Sequence, residues 1–250
     1  MAKYAYKDAE RKDVVYAVNA LTEDRDKVFF CPNPNCTAHL YMCAVDGSRN
    51  AYFRATKSKF QHVQNCPFES NNNFNVALFD ETEFVFDNAI NSLCVVTATQ
   101  KARKMPEKHS AGEVEKHPLR TLRQIYSMCK SYPVTDTYGD KEISEMILDD
   151  RSSYRYTRGC FGYKIIEAVT KRKFYDNTKK QIYLTAPIDS KNYSFILQFL
   201  DDNTYRVIRD EIYNNQNKIV VVAGKWEASG KYNYFTSEVK GRKQVAVIKK

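Results

Sequence analysis

Cys31 and Cys36 bracket the stretch CPNPNC, and His62 and Cys66 bracket HVQNC about thirty residues later. No other feature constrains the chain so tightly. A tetrahedral ion such as zinc is usually held by two close pairs of thiol and imidazole donors, each on a turn, so the residues between the pairs must fold back on themselves. Pro32 and Pro34 stiffen the first turn and Pro67 follows the second pair, so both pairs read as knuckles rather than strand interiors. The spacing Cys31-x4-Cys36 is wider than the common two-residue gap, and His39 stands nearby as a competing ligand. A complete Cys3His set leaves no coordination position for water, so the expected cofactor is a structural Zn2+ ion, not a catalytic one.

Seven cysteines are an odd number in a chain of 250 residues, which is long enough to bury a core without disulfide staples. Cys43, Cys94, Cys129 and Cys160 fall in apolar patterns and read as small buried hydrophobes. No run of 18 apolar residues occurs, and the opening residues mix charge with apolar side chains. The chain therefore reads as soluble and cytoplasmic, with no membrane partner.

The pattern of elements changes twice. Up to residue 73, DVVYAVNAL, KVFFC, HLYMCAV and AYFRATK are short strand candidates punctuated by NPN and DGSRN. From 74 to 150 the period becomes helical. Asp80 stands as N-cap with Glu83 three residues on, and Phe86, Ile90, Leu93 and Cys94 share a face. A second helix is expected after Pro118, with Leu119, Leu122, Tyr126 and Cys129 on one face, and a short third in KEISEMILDD. Asp149 and Asp150 then read as a solvated pair at that helix's end. Residues 98–117 lack apolar periodicity and read as a flexible connector.

Residues 151–250 return to strand character. SYRYTRGCFGYKIIEAVTKRKFYD, KQIYLTAP and YSFILQFL precede a helix in NTYRVIRDEIYNN, and NKIVVVAGKWE and YNYFTSEVKGRKQVAVIKK follow it. Three strands, a helix and two more strands is the order of an OB-like five-stranded Greek-key barrel, which this region resembles. The expected class is α+β: an N-terminal zinc-knuckle β unit, a short helical middle and the C-terminal barrel.

Charge separates the same regions. Residues 1–70 carry 10 Lys and Arg against 8 Asp and Glu, residues 71–150 carry 9 against 13, and residues 151–250 carry 20 against 9. The last hundred residues also hold ten tyrosines, five phenylalanines and the one tryptophan. Cations that follow phosphates, interleaved with rings that stack on unpaired bases, suit single-stranded DNA or RNA. The candidate contacts are Arg155, Tyr156, Arg158, Tyr163, Lys171, Arg172, Lys173, Phe174, Trp226, Tyr232 and Tyr234. On a strand, Tyr154, Tyr156 and Arg158 would share one face.

FRATKSKFQHVQNCPF resembles a zinc-binding segment of bacterial competence (CoiA-like) and mobile-element proteins, in which an aromatic precedes a ligand histidine and a cysteine follows. Phe60, His62 and Cys66 fill those places, with Cys31 and Cys36 as the upstream pair. The aromatic-histidine element expected before His62 is replaced by TKSKFQ. The resemblance implies a DNA-handling protein of a phage, plasmid or other mobile element. Two further function classes remain open. Glu238 and Lys240 in SEVK resemble the Glu-x-Lys strand of metal-dependent nucleases, although no phosphate-binding loop, dinucleotide fingerprint or nucleophile elbow accompanies them. The middle helices offer a surface for a host protein.

Overall fold

A computed structural model of the chain describes residues 4–19, 21–43, 51–63, 66, 68, 74, 78–95, 117–186, 193–216 and 218–248. The expected connector at 98–117 lies outside the described residues except for His117.

The N-terminal unit is an antiparallel sheet of β1 (Tyr4–Tyr6), β2 (Val14–Tyr16), β3 (Phe29–Phe30), β4 (His39–Cys43) and β5 (Tyr52–Arg54), in the order β2-β1-β3-β4-β5. Alternation in β4 sends Leu40 and Met42 inward while His39, Tyr41 and Cys43 stay half-exposed. The inward set joins Tyr4, Phe29, Phe53 and Phe68 in a thin core that also contains Cys31, Cys36 and Cys66.

The middle region comprises α1 (Phe86–Cys94), α2 (Leu122–Ser131), the hairpin β6 (Thr137–Tyr138) and β7 (Lys141–Glu142), α3 (Ile143–Met146) and β8 (Ile147–Leu148). Asp80 does not cap α1. Its carboxylate accepts from Thr82 in the preceding turn, and the first-turn N–H of Phe86 donates to Asp140 at 2.8 Å. Leu119 precedes α2, whose N-cap is Thr121 in a reciprocal bond with Gln124. The third helix lasts one turn, after which the chain extends as β8 alongside the next strand.

That strand is β9 (Gly162–Asp176), followed by β10 (Gln181–Thr185), β11 (Ser194–Gln198), α4 (Asp202–Tyr213), β12 (Ile219–Ala228), β13 (Tyr234–Glu238) and β14 (Val245–Ile248). Pairing runs β9-β10-β11-β13-β12 and returns to β9, which closes a five-stranded barrel. Only β11 and β13 run parallel within that ring, because α4 carries the chain across the barrel before β12 turns back through β13. This is the connectivity of an OB-type barrel. The first half of β9 pairs with β12 and its second half with β10, so one long strand serves both sheets.

The run IVVVAG in β12 is apolar at every position because both of its faces are covered. Val220 and Val222 enter the barrel core with Phe195, Leu197, Trp226 and Phe235. Val221 and Ala223 face outward against Ile90, Leu93, Ile125 and Met128 of the helices. Gly224 is required where β12 crosses β13, since a Cβ there would lie 2.3 Å from the Ser237 hydroxyl.

The expected strand from Ser153 begins nine residues late. Ser153–Tyr156 is a 3-10 turn, and positive φ angles at Gly159 and Gly162 steer the chain into β9. Tyr154, Tyr156 and Arg158 therefore share no strand face. The pair at 149–150 is not solvated either: Asp149 is fully buried.

Candidate metal centre and barrel surface

The metal tetrad is assembled by turns at the end of the N-terminal sheet. Cys31 directly follows β3 and its N–H bonds to Ala38. A tight turn brings Cys36 back, with its N–H on the Asn33 carbonyl at 3.0 Å. A second turn carries Cys66, whose N–H reaches Val63 at 3.1 Å. The ligand atoms of Cys31, Cys36, His62 and Cys66 all lie within 4.8 Å of one another. Cys31 Sγ is 3.6 Å from Cys66 Sγ, and Cys36 Sγ is 3.4 Å from His62 Nδ1. Zn–S bonds of about 2.3 Å at tetrahedral angles put sulfurs roughly 3.8 Å apart, so these separations fit a four-coordinate ion. The tetrad has the geometry to hold a metal such as zinc.

The electrostatics of the cluster favour a cation. Hydrogen bonding from the neighbouring Cys31 and Cys66 thiols pulls Cys36 below the usual thiol range. Burial pushes the Cys31 thiol up because desolvation penalises its charged form, and negative charge on the neighbouring sulfurs adds repulsion. A divalent ion would relieve that repulsion and draw all three to thiolate.

Sequence reasoning missed the scaffold of this site. Arg11, held at φ 57°, donates from Nε to the Cys31 carbonyl at 2.9 Å and from Nη2 to the carbonyls of Asn33 and Cys36 at 2.9 and 2.8 Å. The guanidinium fork thus fixes the CPNPNC turn and sets a positive charge behind a ligand set whose zinc complex would carry net negative charge. Asn33 Nδ2 lies 3.6 Å from Cys66 Sγ. His39 is not in the tetrad: its ring stacks on Phe60 at 4.0 Å and 11°. Cys129 and Cys160 are fully buried, whereas Cys43 and Cys94 are half-exposed.

The expected nucleic-acid contacts divide by burial. Tyr156, Phe174 and Trp226 are core residues, 4%, 3% and 1% exposed, and cannot stack on a base. Tyr156 donates to the Ser144 carbonyl and Trp226 Nε1 to the Lys164 carbonyl. Arg155 is drawn into an ion pair with Glu142. Tyr163 lies against α1, with its hydroxyl on Asn91. Arg158, Arg172, Lys173 and Tyr232 are exposed.

Four of the expected residues sit in one irregularity. Between the pairs Thr170↔Leu184 and Tyr175↔Ile182, β9 advances five residues while β10 advances two. The resulting bulge turns Phe174 into the core and leaves Arg172 and Lys173 outside. Lys171 Nζ donates to Ser194 Oγ at 2.6 Å and lies 5.4 Å from the centre of the Tyr234 ring, which Lys231 approaches at 5.8 Å. Tyr183, not expected from the sequence, alternates outward between inward Ile182 and Leu184, directly across from Ile196. Its signal was the period-2 pattern of QIYLT.

Glu238 and Lys240 form a 3.9 Å ion pair beside a groove of about 530 Å3 that Glu227 and Lys225 also line. Among the described residues, the tetrad is the one group of three or more Cys, His, Asp or Glu side chains placed to share a metal. No helix among them is long and apolar enough to cross a membrane.

No protein-family model, no curated protein and no solved structure matches the chain. The similarity to competence-type segments thus rests on the ligand pattern alone.

Proposed function

We propose that the chain binds single-stranded nucleic acid, without strong base preference, on the outer face formed by the second half of β9 with β10, β11 and β13, and that a structural zinc ion braces its N-terminal unit. The observation that carries the reading is the half-buried Tyr234 ring, with Lys171 at 5.4 Å and Lys231 at 5.8 Å from its centre, on the outer face of an OB-type barrel. Tyr183 lies on the same face, and the bulge cations Arg172 and Lys173 flank it. Rings there offer π-faces to successive bases while the ammonium and guanidinium groups meet phosphates.

Fluorescence anisotropy with labelled oligo-dT at two salt concentrations tests the reading. Binding should weaken steeply with salt, and K171A/Y234A should weaken it further. Unchanged affinity in that double variant would remove the face. A second reading, metal-dependent cleavage at Glu238 and Lys240, is favoured by their pairing beside a groove. Oligonucleotide incubated with magnesium separates the two: a binder leaves it intact, and a nuclease shortens it.

A further inference from the structure

A second cationic feature lies away from the barrel face. The end of α1, the start of α2 and the turn before β14 enclose a groove of about 690 Å3. Arg120, Arg123, Arg242 and Lys243 line it, together with Leu93, Leu122 and Val245; among the described residues no carboxylate and no aromatic ring does. All four cations are exposed. Two are oriented by the fold: Arg123 Nη2 donates to the Val247 carbonyl at 2.7 Å, and Arg242 is 3.7 Å from Glu211 of α4. The first-turn N–H of Gln124 is already taken by Thr121, and the Gln124 side chain accepts from the N–H groups of Arg120 and Thr121, so any anion here is met by side chains.

We infer that this groove is a phosphate-backbone site for nucleic acid. Four exposed cations converging on one groove repel other cations and attract a polyanion. Guanidinium forks match the paired oxygens of a phosphodiester. Without a ring to stack on, the groove does not distinguish unpaired from paired bases, so it accepts duplex as readily as single strand. It is independent of the barrel face, which reads exposed bases.

The test uses the full chain, a fluorescein-labelled duplex and labelled oligo-dT. The variant R120Q/R242Q/K243Q removes three charges and leaves Arg123, which also ties α2 to β14. It should bind duplex about tenfold more weakly or worse, with the slope of log affinity against log salt reduced by roughly 2 to 3, near 0.9 for each phosphate no longer neutralised. The charge-conserving R120K/R242K/K243R should retain binding, and K171A/Y234A should lose the barrel face's share of oligo-dT affinity while keeping duplex affinity. Wild-type duplex affinity and slope in the triple Gln variant overturn the groove whatever oligo-dT does. Displacement of duplex by poly-glutamate as readily as by unlabelled duplex also overturns it, as the mark of an acidic-peptide site. Binding of oligo-dT but not duplex by the wild type removes the groove and spares the barrel face; binding of neither removes both.

Discussion

Lys130 Nζ lies 2.7 Å from an Asp149 carboxylate oxygen, and both side chains are fully shut off from solvent. Glu167 of β9 reaches the same ammonium at 3.1 Å and takes a hydrogen bond from Tyr126. Arg151 donates to Asp149 at 2.8 Å, to the Cys129 and Tyr132 carbonyls, and to the Tyr4 hydroxyl at 2.7 Å. The Phe68 ring lies about equally far from both cations, at 5.4 and 5.5 Å. One buried network therefore joins the N-terminal sheet, α2 and the barrel.

Removing one member leaves a buried charge undercompensated. Lys130→Met leaves Glu167 without a cation and Asp149 with Arg151 alone, and should cost about 3 to 5 kcal/mol. Urea unfolding of the variant measures it. A change under about 1 kcal/mol would mean that the network is solvated.

The same network fixes the sign of the pH dependence. Burial works to raise Asp149, but Arg151 and Lys130 outweigh it and hold the carboxyl below its ordinary 3.8. Its stabilisation is present above that value and is lost as pH falls through the folded value. Burial, by contrast, raises Glu167 above its ordinary 4.5, over the opposing pull of Lys130. The fold holds that proton more tightly than the unfolded chain, so from 4.5 upward to the raised value stability falls as pH rises. Urea midpoints should therefore drop on strong acidification and also decline from weakly acidic toward higher pH. Burial raises Asp150 as well, so Glu167→Gln should reduce the second slope and keep the first.

At the metal centre, purified protein should carry one zinc per chain by elemental analysis. Cys66→Ser and His62→Ala should lose it and melt earlier, and a chelator should lower the melting temperature of the wild type alone. His39→Ala should keep the metal, because that ring stacks on Phe60 outside the tetrad. Arg11→Ala should bind zinc about 10- to 100-fold more weakly, the usual cost of losing an outer-shell partner.

Legibility tracked how local each signal was. The tetrad could be read because each ligand pair closes within one turn, and the barrel order because QIYLT and YFTSE alternate cleanly and SFILQ is a short apolar run. The helix faces were readable from the period of Ile90 and Leu93. SYRY also alternates, and that misled: its turn is imposed by Tyr156 bonding to Ser144 and by two glycines downstream, neither visible as a pattern. The buried network brings together positions 4, 130, 149, 151 and 167, which no spacing rule connects. The bulge in β9 is likewise set by pairing with β10, so Phe174 looked like one more ring in a basic strand.

Burial separates the tyrosines and the tryptophan into two groups with opposite expected behaviour. Trp226→Ala deletes a core side chain packed edge-on against Phe195 and should cost about 3 to 5 kcal/mol of stability. Tyr183→Ala and Tyr232→Ala remove rings that are half-exposed and 90% exposed, so their melting temperatures should stay close to wild type. If bases stack on the outer face, Tyr183→Ala should instead weaken oligo-dT binding by about 1 to 3 kcal/mol, roughly 5- to 150-fold. Tyr232 lies in the β12–β13 loop beside Lys231. A loss on Tyr232→Ala but not on Tyr183→Ala would therefore place the strand at the loop and move it off the centre of the sheet.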